Sequence, residues 1–255
     1  MKKLRQIVRL AVLSVLAILF SLPVVMTFAK SFSQGERHLT LRQYWELFTT
    51  NYTYLGYFWN SVVYAALITA VCIAVSLPLG FIFAKVDFKG RDTVFFVYIL
   101  VMMLPFQATL LPNYIQLREF NMLNTPMALT VPMMFSPFAV FLFRQFMKNI
   151  PDELIDCTML ETASVLQLFR YAVIPHIKPA IASLGILLFC ESWNMVEQAL
   201  IFSMSNEDIM PLSVMLGKIP DEVSYAGGVI YIFPILMLFL MFRDALETSM
   251  ESYKF

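Results

Sequence analysis

Six stretches of this chain are apolar enough, and long enough, to cross a lipid bilayer, and that recurrence limits the fold more than any other feature. They lie at residues 10–29, 62–83, 94–111, 127–143, 181–202 and 223–242. Each approaches the roughly 20 apolar residues that a helix needs to span the hydrocarbon layer. A hydrophobic content of 59% with only 14% charged residues lies outside the range of soluble domains. The pattern predicts an all-α polytopic membrane protein with six transmembrane helices.

The opening "MKKLRQIVRL" before an apolar run also fits a secretory signal peptide. Here the run continues to Ala29, beyond the about 7–15 apolar residues of a signal sequence, and five more spans follow. A retained first helix is therefore expected. With the N-terminus inside, thirteen of the eighteen Lys and Arg residues fall on the cytoplasmic side, and Lys30, Arg37, Arg42, Arg118 and Lys218 fall outside. The excess of basic residues on the cytoplasmic side sets orientation, so both termini are expected to be cytoplasmic.

Several function classes lose support at once. Cys72, Cys157 and Cys190 offer no pair in an outer loop, so a disulfide framework is not expected. The glycines form no phosphate-cradling loop; "LGKIP" around Gly217 lacks the spacing and the hydroxyl residue. His38 and His176 are the only histidines and fall on opposite sides, so no metal cluster is expected, and no cofactor either. No repeat or low-complexity linker divides the chain, which reads as a single transmembrane domain over residues 1–255.

The loops and spans carry a few further signals. The first outer loop is rich in aromatic residues and ends at Trp59, as an interfacial belt would. In the third span, "MLPFQATLLPNY" places Pro105 and Pro112 where they should kink or break the helix; such breaks can line a cavity. The third outer loop carries Glu207, Asp208, Asp221 and Glu222, either as a solvated surface or as a docking face for an outside partner.

One segment stands apart. Between the fourth and fifth spans lies "IPDELIDCTMLETASVLQLFRYAVIPHIKPAI", residues 150–181, charged and helix-forming in a chain otherwise apolar. Pro151, Asp152 and Glu153 make a helix start, with acids where the helix dipole favours them. Leu154, Thr158 and Glu161 share one face, and Ser164 is a candidate second cap. Val165, Leu166, Phe169, Ala172 and Val173 form an apolar stripe at helical spacing. "IPHIKP" is expected to stop the helix and return the chain to the membrane. Two amphipathic helices outside the bilayer must bury their apolar faces, either on the cytoplasmic ends of the spans or in a groove of a soluble partner.

This segment resembles the "E-A-A" cytoplasmic loop of permease subunits of binding-protein-dependent ABC importers. Ile150, Pro151, Leu154, Asp156, Glu161, Ala163, Phe169, Ile174, Pro175 and Pro179 keep that frame without a gap. "FWNSVVYAALIT" and "ESWNMVEQALIF" resemble the second and fifth spans of the carbohydrate subfamily, and the likeness is greatest to the maltose-type second permease. The frame is degenerate: Cys157 and Thr158 stand for the two alanines, Glu161 for the aspartate and Thr162 for the glycine. A β-branched residue at that turn disfavours positive φ, so either the turn is reshaped or the helix runs on more continuously. "YKF" replaces the subfamily's terminal K-G.

The resemblance implies a division of labour. A second permease subunit would complete a heterodimer, separate ATP-binding subunits would hydrolyse ATP, and an extracytoplasmic solute-binding protein would deliver the cargo. The chain itself would be no enzyme and would sit, multi-pass, in a prokaryotic cytoplasmic (inner) membrane; nucleic acid is not among the expected partners. Residues 147–179 would hold the ATPase-coupling element around Asp156–Phe169. For the pathway, Glu191, Asn194 and Gln198 are spaced to share a face of the fifth span, with Gln107 and, more weakly, Asn113 on the third. A charged side chain at mid-bilayer costs about 2.5–3.5 kcal/mol on insertion scales, so this stripe should face protein or water. It would then line a path for a hydroxyl-rich solute or act as interhelical glue. A sugar or oligosaccharide is the expected cargo. A polyamine, peptide or phosphate ester is the alternative, and a stand-alone channel or intramembrane enzyme the remaining one.

Overall fold

The computed structural model describes residues 2–33, 39–49, 53–161 and 164–251. Among these residues the architecture is helical, with a single isolated bridge between Ser33 and Leu39. Five helical stretches are long and apolar enough to cross a membrane, and a bent pair supplies a sixth. Helix α1 (Lys2–Ser31) is followed by the short α2 (Arg42–Thr49) and the long α3 (Thr53–Lys85). Helix α2 folds back because Gln43 donates to the carbonyls of Lys30 and Ser33, at 2.9 and 2.8 Å. It also buries Leu47 against Ile219 and Val223.

The third span is the bent pair. Helices α4 (Arg91–Met102) and α5 (Phe106–Glu119) meet at 95°. The break falls at Pro105, whose extended backbone (φ −64°, ψ 140°) precedes α5. Pro112, expected to act similarly, sits inside α5 without ending it. The fourth span is also interrupted. Helix α6 (Pro126–Thr130) passes through a tight 3₁₀ turn (Val131–Met134) and extended Phe135 before α7 (Pro137–Lys148). Ser136 opens α7, its hydroxyl accepting from the Ala139 N–H at 3.3 Å.

Beyond α8 (Asp152–Glu161), α9 (Val165–Leu168) runs through a π-helical turn at Phe169–Val173 into α10 (Ile174–Trp193). "IPHIKP" therefore does not stop the helix; one span continues over Val165–Trp193. The physical reason is local. Pro175 lies in the first turn of α10, directly after the wide turn, where its missing N–H and ring are accommodated. The His176 ring meets the Ala172 carbonyl at 2.7 Å, and Ser183 donates to the carbonyl of Pro179 at 2.8 Å. After α10 come α11 (Glu197–Phe202), α12 (Leu212–Met215) and α13 (Ser224–Glu251).

Helix α3 is the central member, packing on α7 and α10, while α10 also packs on α13. One core joins Phe81, Phe143, Met147, Ile155, Leu168, Val173 and Ile177 at the end carrying α8. A second gathers Tyr64, Ile68, Leu129, Phe202 and Met215 at the opposite end. There the 120–125 turn, with Asn121 and Asn124 at positive φ, is tied down. The Asn124 N–H donates to Phe202 O at 2.9 Å, and its side-chain oxygen accepts from the Ser205 N–H at 3.0 Å. Helix α1 packs on α13, and no residue of its apolar window is buried.

In lipid, helices associate by close packing and not by exclusion of water, so small residues at crossings matter. A Cβ built on Gly80 of α3 would lie 2.7 Å from the Cβ of Phe143 and 3.2 Å from the backbone nitrogen of Arg144 in α7. Gly80→Val should force α3 and α7 apart and cost about 1–3 kcal/mol. A lowered thermal midpoint of the detergent-purified chain would show it, and an unchanged midpoint would exclude this crossing as a close contact.

Beside it, Arg144 is nearly buried. Its Nε donates to Phe83 O at 3.0 Å, an Nη donates to Asp92 at 3.1 Å, and its guanidinium lies 3.7 Å from the Phe95 ring centre. Asp92→Asn would leave that cation without its carboxylate and should destabilise more than Arg144→Met, which removes the buried charge altogether. Chemical denaturation of both variants in the same detergent orders the two.

Candidate functional site

The interruptions of the third, fourth and fifth spans face one another. A cavity of about 370 Å³ is bordered by Met102 and Leu104 at the first break, Phe135 and Ser136 at the second, and Glu191, Ser192 and Gln198 at the third. Asn113 also borders it. A neighbouring cavity of about 340 Å³ is lined by Gln107, Glu191, Asn194, Glu197 and Gln198. All four residues expected to line a pathway, Glu191, Asn194, Gln198 and Gln107, thus border this second cavity, and Glu191 and Gln198 border both.

They converge for a different reason than the one the spacing implied. Helix α10 ends at Trp193 and α11 begins at Glu197, so no continuous helical face carries Glu191, Asn194 and Gln198. The break itself turns them towards the cavity. Asn194 holds that break in place. Its Nδ2 donates to Cys190 O at 2.7 Å, and its Oδ1 accepts from the Tyr231 hydroxyl at 2.7 Å. The Trp193 indole donates in turn to the Tyr231 carbonyl at 3.2 Å and stacks on Phe189, with ring centres 5.7 Å apart. Tyr231, on α13, escaped sequence reasoning; a hydroxyl well inside an apolar span was the available signal.

The other cavity residues are less committed. Gln198 is only 6% exposed, and its Oε1 meets no donor. Glu191 is exposed to the cavity, and neither it nor Gln107 makes a hydrogen bond among the described residues. Within this chain, such groups keep acceptors and donors for a solute or for a neighbouring subunit.

At the other end, α8 lies against the feet of the spans. Ile155 is buried, and Leu154 packs beside it. The α3 terminus grips the segment: Lys85 Nζ donates to the Asp152 carboxylate at 2.6 Å and also to the Ile150 carbonyl. The Lys85 side chain is 8% exposed, so it reaches these partners from a desolvated position. Sequence reasoning did not single it out. Pro151, Asp156 and Glu161 are exposed. Thr162 and Ala163 lie outside the described residues. Ser164 is extended (φ −101°, ψ 121°) before α9, so the two helices are separate and not one continuous rod.

The apolar stripe of α9 divides. Leu168, Ala172 and Val173 face the core, and Phe169 meets Phe81 of α3 with ring centres 5.0 Å apart. Phe169, Pro175 and Pro179 thus belong to the inner side of the segment or to the span that continues from it. Val165 and Leu166 remain outside, together with Met159 and Leu160 of α8, and the last is 88% exposed. This outward apolar rim was not foreseen, because an i, i+4 count takes no account of α8 and α9 being separate helices.

On the opposite face Glu207 accepts from Lys218 at 2.7 Å. That hydrogen bond and the lysine's charge hold the Glu207 carboxyl below its ordinary range and push Lys218 above its own. Lowered acid and raised base both stabilise the pair, from above the carboxylate's titration to below the lysine's. Asn60 donates to the carbonyls of Asp208 and Met210 in the same loop, at 2.8 and 3.2 Å.

Residues 76–252 match the family described as binding-protein-dependent transport system inner membrane component. The chain belongs to that family. This permease is 30% identical over 211 residues to the arabinooligosaccharides transport system permease protein of Halalkalibacterium halodurans, covering 80% of this chain and 75% of the relative. It is 35% identical over 135 residues to the sn-glycerol-3-phosphate transport system permease protein of Salmonella typhi, covering 53% and 48%. Its fold matches one chain of a bacterial ABC transporter involved in the import of the acidic polysaccharide alginate. There the TM-score is 0.84, the identity 19%, and the coverage 96% and 97%.

Membership makes this permease a multi-pass component of an ABC importer in the inner membrane, with ATP hydrolysis in a separate subunit. It is a transport subunit and not an enzyme, and its family works with further subunits and a solute-binding protein.

Proposed function

We propose that this chain forms half of the translocation pathway for a sugar or oligosaccharide, as one permease unit over residues 1–255. Both termini and residues 147–179 face the cytoplasm, as the distribution of Lys and Arg favours. A second permease chain supplies the other wall, ATP-binding subunits engage α8 and α9, and an extracytoplasmic solute-binding protein delivers cargo at the face carrying Glu207 and Lys218.

The observation that carries this reading is the division of the cytoplasmic segment into an anchored inner side and an exposed apolar rim. Ile155 and Leu168 fix it to α3, α7 and α10, while Met159, Leu160, Val165 and Leu166 are left for a groove on another protein. Closure of the ATP-binding subunits pushes on that rim. The push passes through Phe169 on Phe81 and through Asp152 on Lys85 to α3, and along the helix itself to α10. The broken spans then shift around the polar cavity, where Glu191, Gln198 and Gln107 exchange hydrogen bonds with the cargo's hydroxyls.

The cargo class is supported by a relative named for arabinooligosaccharides. A phosphate ester stands as the second reading, because one relative is named for sn-glycerol-3-phosphate. To test the assembly, the tagged chain is purified from its native membrane in mild detergent and its companions are identified by mass spectrometry. A second permease chain and a P-loop ATPase are expected; a stable chain arriving alone would refute the reading. Uptake of labelled arabinooligosaccharide and of glycerol phosphate by the reconstituted complex then separates the two cargoes.

A further inference from the structure

The two adjacent cavities share an electrostatic feature that bears on cargo. Among the described residues, their ionisable lining residues are Glu191 and Glu197, and no Lys, Arg or His borders either cavity. Arg144 and Asp92 pair away from this lining, and so do Lys218 and Glu207. Glu191 opens into both cavities and makes no internal hydrogen bond among the described residues. Beside it, buried Gln198 presents an amide oxygen without a donor. The lining therefore offers amides and hydroxyls, two carboxylates, and among the described residues no cation to match an acidic cargo.

We propose that this half of the pathway is a charge filter: it admits neutral, hydroxyl-rich or amine-bearing solutes and opposes anionic ones such as phosphate esters and uronates. Hydroxyl and ammonium groups donate hydrogen bonds to Glu191 and Gln198. A phosphate or carboxylate carries no donor at neutral pH and meets like charge instead. In a cleft with low-dielectric walls the field of one sign is focused, and local counter-ion concentration and approach rates change by roughly 10–1,000-fold. Glu191 is the specificity-determining residue, with Glu197 reinforcing it nearer the break. The inference deepens the importer reading and rests on it.

Charged thiol reagents test the filter without knowledge of the cargo. Gln107, which is exposed in the cavity, is replaced by cysteine after Cys72, Cys157 and Cys190 are changed to serine. The assembled complex is placed in nanodiscs. Rates of modification by a trimethylammonium-ethyl and by a sulfonatoethyl methanethiosulfonate are each normalised to a free thiol. The cationic reagent is expected to react about tenfold faster. Glu191→Gln should reduce that preference severalfold, and Glu191→Asp should retain it. A wild-type ratio near one, or a ratio that Glu191→Gln leaves unchanged, overturns the filter while leaving the importer assembly standing. Failure of both reagents to react would show a sealed cavity, and would remove the pathway reading together with the filter.

Discussion

Leu160→Glu combined with Leu166→Glu should lower ATP-dependent uptake by more than about tenfold while leaving the chain inserted in the membrane. Both side chains stand well out of the protein, 88% and 78% exposed, so neither change opens a hole in this chain. Their cost falls on whatever covers them. A buried apolar anchor at an interface is commonly worth about 2 kcal/mol or more, and a carboxylate in its place must be desolvated as well. The ATP-binding subunit should therefore be lost from pull-downs, and solute-stimulated ATPase activity should fall with it. Leu39→Glu, equally exposed at 89% on the opposite face, is the matched control and should leave ATPase association intact. Full association in the double variant would show that the rim faces lipid or water.

Trp193→Ala should destabilise the protein itself by about 3–5 kcal/mol, in the range for deletion of a buried aromatic. The indole is 0% exposed. It lies between Phe58, Phe189 and Tyr231, with ring centres 5.9, 5.7 and 5.7 Å away. Its N–H supports the Tyr231 carbonyl just beyond the end of α10. Loss of the ring should free the α10 break, so reduced yield in mild detergent should accompany faster proteolysis near residues 194–196. Tyr231→Phe is the milder companion. It removes the hydroxyl's hydrogen bond to Asn194 and its long contact, 3.4 Å, with the Trp193 carbonyl, and should cost about 1 kcal/mol. If Trp193→Ala were no worse than Tyr231→Phe, the aromatic cluster would not be what fixes the break.

Much of this molecule was readable because lipid allows few solutions. Apolar length alone located most of the spans, although the fifth runs over Val165–Trp193 and not residues 181–202, and Pro105 marked a break in the third. The cavity was harder. Glu191, Asn194, Gln198 and Gln107 could be nominated as polar residues in apolar surroundings, yet helical periodicity gave the wrong reason for their meeting. The interruption at 194–196 lacks a proline or glycine. It is held by Tyr231, distant in sequence, and by Ser213 donating to Met195 O. The continuous span through "IPHIKP" was likewise hidden, because proline statistics describe regular α-helix and not a π-helical turn. The inward orientation of Phe169 depends on Phe81, a partner 88 positions earlier that no local pattern announces.

The unbroken run from Val165 to Trp193 has a mechanical consequence. Twenty-nine residues of helix form a rod about 43 Å long. A tilt of about 5° about one end would carry the other roughly 4 Å sideways by simple geometry at that rise per residue. Such an excursion is comparable to the radius of the passage that a small solute requires. The near end of the rod begins at Val165, on the exposed rim, and the far end stops at Trp193, beside the polar cavity. A displacement at the surface therefore reaches the cavity through one run of helix, in which the π-helical turn at Phe169–Val173 and Pro179 are the places where it would bend.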